Sequence, residues 1–160
     1  MQGSFDDCQY LVKAAYENAE QFPLPLSTSN SINVGRLLPQ MTYYAYASLQ
    51  HYQAKQEKIR IIVPSGNLGN VTAAFWAKQC GLPIGQIAIG LNANRVVLDY
   101  IESGEFKPRA SLETLANAMD VGKPSNFERL SCLLDYQEFK NIPVISVNDE
   151  EIQKNNSAGL

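Results

Sequence analysis

The strongest constraint on the fold of this chain is a strand, a glycine-rich turn, a helix and a second strand that follow one another within residues 59–90. Residues 59–63 are a short β-branched run, residues 65–70 read Ser-Gly-Asn-Leu-Gly-Asn, and an apolar helix is predicted from Val71 to about Cys80. A glycine and a proline then end that helix, and residues 86–90 form a second buried strand. This order predicts a βαβ unit with parallel strands and a right-handed crossover.

Further helices and a third strand are predicted around this unit. The first helix runs from Asp6 to about Gln21 with Asp6 or Asp7 as N-cap, and a later one runs from about Arg95 to Glu102, capped by Asn92 or Asn94. Another begins near Ser125, with Glu128 completing a capping box, and continues to about Tyr136. Residues 142–147 form the third strand, and an acidic first turn at 149–151 opens a last helix.

A long amphipathic helix precedes the βαβ unit. Its apolar and small residues recur at helical spacing and predict one buried stripe: Val34, Leu37, Leu38, Met41, Ala45, Ser48, Leu49 and Tyr52. Pro39 removes a backbone bond, so the helix either starts near Leu38 or kinks at the proline. The kink is the preferred prediction.

Composition excludes several kinds of function. The chain has 160 residues, 45% hydrophobic and 18% charged, which indicates a folded α/β domain. The net charge is −3 and no basic face is evident, so a nucleic-acid partner is not expected. No apolar run is long enough to cross a membrane. Three separated cysteines indicate a cytoplasmic protein with free thiols, and a single histidine, His51, argues against a metal site or a serine–histidine relay.

The turn at residues 65–70 is the main candidate binding site. Small residues between the end of a strand and the start of a helix leave backbone amides free to bind an anion, and the helix dipole adds to the attraction. Gly66 and Gly69 permit backbone angles and a close approach that a side chain would block. The pattern predicts a phosphate site formed by Ser65, Gly66, Asn67, Leu68, Gly69 and Asn70. A glycine-rich turn without a ligand is the alternative, and neither nucleotide-binding motif is present.

Two polar groups are weaker candidates. Asn33 and Arg36, near the start of the long helix, carry an amide and a guanidinium that could orient a phosphate or carboxylate of a substrate. Helix capping by Asn33 and a solvated Arg36 are the alternative. Ser125, Asn126 and Arg129 pose the same choice, with capping as the simpler interpretation for Ser125.

Four ordered sequence blocks resemble the threonine synthases. They read Gly-Ser-Phe-Asp-Asp-Cys-Gln at 3–9, Asn-Ser-Ile-Asn at 30–33 with Arg-Leu-Leu-Pro-Gln at 36–40, Pro-Ser-Gly-Asn-Leu-Gly-Asn at 64–70, and Ala-Met-Asp-Val at 118–121 with Pro-Ser-Asn-Phe-Glu-Arg-Leu at 124–130. The Asn-Ala-Asn element at 92–94 is also similar to that family. The blocks extend over most of the chain, and their order makes the resemblance specific.

The resemblance implies a fold-type II pyridoxal-phosphate enzyme, a carbon–oxygen lyase that converts O-phospho-L-homoserine and water to L-threonine and phosphate. It assigns residues 65–70 to the cofactor phosphate. It also implies a larger two-domain protein in which residues 1–25 end the smaller domain, residues 26–160 belong to the large cofactor domain, and the chain is an internal segment truncated at both ends. The expected architecture is a short parallel sheet flanked by helices in three layers.

The family's Schiff-base lysine follows a phenylalanine and precedes an aspartate, and no lysine here has that context. The lysines are Lys13, Lys55, Lys58, Lys78, Lys107, Lys123, Lys140 and Lys154. The chain alone is therefore expected to be inactive and, with apolar faces uncovered, to self-associate. A related phospholyase acting on another O-phosphorylated amino acid, or a non-catalytic phosphate-binding module, are the alternatives.

Overall fold

The computed structural model describes residues 5–157, with side chains from residue 6 to residue 154, so the first two residues of the 3–9 block lie outside the described residues. The helices are α1 Phe5–Glu17, α2 Leu37–Lys55, α3 Gly69–Gln79, α4 Val96–Ser103, α5 Phe127–Ser131, α6 Tyr136–Lys140 and α7 Asp149–Ser157. The strands are β1 Ile59–Pro64, β2 Ile84–Leu91 and β3 Val144–Ser146, and three short 3₁₀ helices span Ala19–Gln21, Val34–Arg36 and Asn117–Met119.

The three strands form one parallel sheet in the order β1-β2-β3. In β1 and β2, Ile61 pairs with Ile87 and Val63 with Ile89, which confirms the predicted βαβ unit with α3 as its crossover. Strand β2 is buried along most of its length because it lies between two strands and beneath helices. Helix α2 contacts α3, and α4 contacts α6. The three-layer arrangement and the boundary near residue 25 stay predictions.

The hydrophobic core joins the sheet to its helices. Val63, Ile84 and Ile89 of the strands are at most 1% exposed, and Phe139 of α6 is fully buried. An aromatic cluster packs on the other side of this core: the Phe106 and Phe127 rings stack with centroids 3.6 Å apart, and the Tyr100 ring meets both of them edge to face. The core therefore fixes the carboxyl ends of β1 and β2, where the predicted turn lies.

Helix α2 corrects two sequence predictions. The helix begins at Leu37, so Pro39 lies in its first turn, where a missing backbone donor costs little, and the predicted kink is wrong. The buried face consists of Leu37, Tyr44 and Ser48. Four members of the predicted stripe are at least 42% exposed: Val34, Leu38, Leu49 and Tyr52. The hydrophobic pattern of α2 did not predict the buried face, because four tyrosines and several small residues allow more than one apolar face, and contact with α3 selected one of them.

The predicted helix caps were also wrong, since polar side chains near helix starts found partners elsewhere. Helix α1 begins at Phe5, which puts Asp6 and Asp7 inside its first turn. The N-cap residue of α4 is Arg95 and no side chain caps it. The predicted helix from Ser125 to Tyr136 is two short helices, α5 and α6. Capping boxes form not at Ser125 but at Asp135 with Glu138, at the start of α6, and at Asn148 with Glu151, at the start of α7.

Candidate functional site

The turn between β1 and α3 presents backbone amides at the carboxyl edge of the sheet. Leu68 has φ 60° and ψ 2°, so the left-handed residue of the turn is a buried leucine and not Gly66 or Gly69. Thr72 N donates to Leu68 O at 3.0 Å, which leaves the amides of residues 69–71 without intrahelical acceptors. Among residues 5–157, no oxygen accepts from the amides of residues 66–68. Such a run of free amides suits an oxyanion.

The two glycines of the turn allow close packing. A Cβ on Gly66 would lie 3.0 Å from both Met119 Cα and Val121 Cγ2, and a Cβ on Gly69 would lie 3.2 Å from Ser31 Cβ. Both positions therefore need glycine because neighbouring chain segments press against the turn. The predicted need for glycine holds, but its cause is the contact with these segments.

A cleft of about 480 Å³ opens over the turn. All six residues of the predicted phosphate site line it, together with Arg36, Tyr43 and residues of the 117–119 helix. Arg36 donates to Ser29 O, and among the described residues its guanidinium has no carboxylate partner. The cleft thus combines backbone donors with one cation, an arrangement that favours an anion.

Asn33 does not line this cleft. Its Oδ1 accepts from Gly35 N at 2.9 Å, and its Nδ2 donates to Thr28 O at 2.9 Å. Both ends of the amide therefore stabilise the loop before α2, which is the capping role that the sequence left open. Of the two substrate-binding candidates, the structure brings only Arg36 to the turn.

Asn67 fastens the turn to two distant segments. Its Nδ2 donates to Ser31 Oγ at 2.6 Å, and its Oδ1 accepts from Ser125 N at 2.5 Å and Ser125 Oγ at 3.0 Å. Asn126, fully buried, donates from Nδ2 to Asn67 O at 3.0 Å. The side chain of Asn67 is used for structure, so its contribution to an anion site comes from the backbone amide.

The side chain of Arg129 also connects the loop at 28–36 with the segment at 124–129. Its guanidinium donates to Ser31 O at 2.8 Å, to Asn126 Oδ1 at 2.5 Å, and to Ile32 O. A guanidinium can satisfy several acceptors at once with a fixed geometry. The arginine that the sequence offered as a possible ligand therefore holds the 28–36 loop against the segment at 124–129.

Two tyrosine hydroxyls meet at Asn70, the second residue of α3. Tyr43 Oη and Tyr44 Oη donate to Asn70 Oδ1 at 2.5 and 2.6 Å. Burial raises the pKa of both tyrosines, and in Tyr44 the neighbouring Tyr43 raises it further. Both hydroxyls therefore stay protonated at neutral pH and act as donors. No sequence signal indicated this role, because the two tyrosines lie 27 and 26 residues from Asn70 in the chain.

The opposite wall of the cleft depends on Asp120. Its carboxylate accepts from Asn92 Nδ2 at 2.7 Å, Asn94 Nδ2 at 3.2 Å and Thr114 N at 2.9 Å. Asn92 and Asn94 are both at most 6% exposed, and they follow the carboxyl end of β2. This network sets the position of Met119, which packs on Gly66. The asparagines predicted as helix caps thus shape the cleft.

Comparisons with known proteins point to one family. No family model matches the chain. It is 41% identical over 151 residues to threonine synthase from Serratia marcescens, covering 92% of this chain and 35% of that protein. It is 44% identical over 127 residues to threonine synthase from Haemophilus influenzae, covering 79% of this chain and 30% of that protein. The chain therefore spans about a third of the length of the curated relatives it matches.

Solved structures agree with these relatives. The Escherichia coli threonine synthase superposes with a TM-score of 0.85 at 37% identity, covering 96% of this chain and 37% of that one. The pyridoxal-phosphate-bound threonine synthase of Brucella melitensis gives 0.70 at 31% identity, covering 92% and 37%. Maize serine racemase, at 0.55 and 17% identity, shares the fold, covering 95% of this chain and 44% of that one.

The parallel sheet and its flanking helices share the fold of the fold-type II pyridoxal-phosphate enzymes. Sequence identity of about 40% with curated relatives narrows this class. The chain belongs to the threonine synthase family, over the segment that it spans.

Proposed function

We propose that this chain supplies the cofactor-phosphate site of a pyridoxal-phosphate-dependent threonine synthase. The observation that carries the proposal is the cleft lined by all of residues 65–70 and by Arg36. The free amides of the turn and the amino end of α3 fit a phosphate dianion, because each amide donates to an oxygen and the helix dipole favours negative charge. When bound, the pyridoxal ring supplies the electron sink for the chemistry at the substrate carbons.

The proposed reaction of the whole protein is the conversion of O-phospho-L-homoserine and water to L-threonine and phosphate, in the cytoplasm. The name shared by the relatives supports the reaction. The three cysteines, which are all unpaired, support the cytoplasmic location. In the proposal, residues 1–25 end the smaller domain and residues 26–160 belong to the large one. The same turn would bind the phosphate group of the cofactor in any enzyme of this class. The sequence identity with the relatives, and not the turn, therefore favours threonine synthase.

The residues of this chain bind and orient the cofactor and do not form its covalent bond. Among the described residues that line the cleft, none is a lysine. The backbone of residues 66–71 holds the phosphate, while Tyr43 and Tyr44 fix the side chain of Asn70 at the start of α3. Arg36, on another wall, attracts the anionic end of a substrate.

Titration of the protein with inorganic phosphate tests the anion site. The amide resonances of residues 66–71 are expected to shift, and Gly66→Ala is expected to weaken binding about tenfold because its Cβ would push the turn away from Met119. Gly90→Ala is the matched control, since its Cβ would have no contact closer than 3.6 Å. Shifts elsewhere with residues 66–71 unmoved would remove the physical basis of the proposal.

A segment exchange tests the reaction. The chain replaces the matching segment of Escherichia coli threonine synthase, whose fold it shares over 96% of its own length. Phosphate release from O-phospho-L-homoserine is expected, together with a raised KM for the substrate in the Arg36→Gln form. A folded chimera that binds pyridoxal phosphate but forms no threonine would contradict the proposed activity.

A further inference from the structure

A second cavity lies between α1 and the segment at 122–128. Its volume is about 120 Å³, and none of the residues that line it lines the cleft over the turn. Helix α1 contributes Asp6, Gln9 and Lys13 to its walls. The residues are three and four positions apart, so they share one face of the helix.

Two buried polar atoms at this cavity have no hydrogen-bond partner among the described residues. They are Asp6 Oδ1 and Gln9 Nε2. Gln9 is only 5% exposed. The other carboxylate oxygen, Asp6 Oδ2, accepts from Gly122 N at 3.3 Å, which holds the carboxylate in place. Buried polar atoms normally have partners, so an unpaired acceptor and an unpaired donor at the same cavity indicate a bound group.

The rest of the cavity defines the chemistry of that group. Lys13, Lys123 and Glu128 line it and are all exposed, so two positive charges and one negative charge lie at the rim of the cavity. Phe106, Pro124 and Phe127 supply an apolar wall. The cavity has room for more than one water molecule. Water alone would neither balance the charges of the two lysines nor pack on the apolar wall.

We propose that this cavity binds a small zwitterionic amino acid. Its ammonium group donates to Asp6 Oδ1, and its carboxylate accepts from Gln9 Nε2 with support from Lys13 and Lys123. Its side chain packs on the apolar wall. Binding exchanges hydrogen bonds and forms no covalent bond. The two cavities have no lining residue in common, although Ser125 of this cavity is hydrogen-bonded to Asn67 of the cleft.

Titrations with L-alanine, propionate and ethylamine separate the two charged groups of the ligand. L-Alanine is expected to shift the amide resonances of residues 6–13 and 122–128. Propionate, which lacks the ammonium group, and ethylamine, which lacks the carboxylate, are expected to leave them unchanged at the same concentration. Gln9→Leu is expected to weaken L-alanine binding about tenfold, whereas Gln53→Leu, at an exposed position of α2, leaves it unchanged.

Lys123→Gln tests the carboxylate end without changing a buried residue. It is expected to weaken binding about threefold, since Lys123 is exposed and its charge is partly screened. Three results overturn the proposal. No shift up to the solubility limit means that the cavity holds water only, equal shifts with ethylamine mean a cation site, and shifts confined to residues 65–70 mean that the amino acid binds at the cleft.

Discussion

Replacing Asn67 by alanine measures how far the turn depends on side chains that are distant in the sequence. The substitution removes three hydrogen bonds, one to Ser31 and two from Ser125, at 2.6, 2.5 and 3.0 Å. Each such bond contributes about 0.5–1.5 kcal/mol net, so the free energy of unfolding should fall by about 2–4 kcal/mol. The loss should be concentrated in the turn, because these three hydrogen bonds join it to Ser31 and Ser125.

Urea unfolding measures this change as a lower midpoint at an unchanged slope. In a domain of this size the melting temperature should fall by about 2–4 °C for each kcal/mol lost. Hydrogen exchange should accelerate at residues 66–72 before the rest of the sheet. Asn117→Ala is the matched control, because Asn117 is exposed and its side chain takes no part in the hydrogen bonds among Asn67, Ser31 and Ser125.

A double-mutant cycle with Ser125→Ala isolates one contact. Asn67 Oδ1 and Ser125 Oγ are 3.0 Å apart, and a coupling free energy of about 0.5–1.5 kcal/mol is expected for contacting residues of this kind. Two results would refute this reasoning and mean that the turn is held by its own backbone. One is that Asn67→Ala lowers the free energy of unfolding no more than Asn117→Ala does. The other is that the effects of Asn67→Ala and Ser125→Ala are additive.

Asp6→Asn should stabilise the protein at neutral pH. Burial raises the pKa of the Asp6 carboxyl above its unfolded value of 3.8. The protonated carboxyl therefore contributes stability below pH 3.8, and this contribution is lost as the pH rises through the pKa of the folded state. Urea midpoints measured across pH should depend less on pH in the variant. Tyr44→Phe should cost about 1 kcal/mol in thermal unfolding, and Tyr46→Phe, 71% exposed, almost nothing. The chain with pyridoxal phosphate should release no phosphate from O-phospho-L-homoserine, since no cleft residue is a lysine; any release by it alone would contradict this. Sedimentation should show mass rising with concentration, because Leu38 and Ile62 are 56% and 61% exposed; a monomer at every concentration would count against it.

Local sequence signals determined the central unit of this fold. The β-branched run before residue 64, the glycines at 66 and 69 and the apolar helix that follows all act on neighbouring residues, so strand, turn and helix could be predicted within a few residues of their observed bounds. The free amides follow from the same local geometry, because a helix start lacks acceptors whatever surrounds it. The order of the four sequence blocks also predicted the resemblance to the threonine synthase family.

Only the tertiary structure decided which side chains serve the cleft. Asn67 lies 36 residues from Ser31 and 58 from Ser125, and such pairs leave no periodic signal. Asn92 and Asn94 looked like helix caps, since short polar side chains suit that role, yet the fold offered them the Asp120 carboxylate. Likewise α2 had several possible apolar faces until α3 covered one. The sequence determined the backbone of the site because that information is local, and packing determined its side chains because their partners are far apart in the chain.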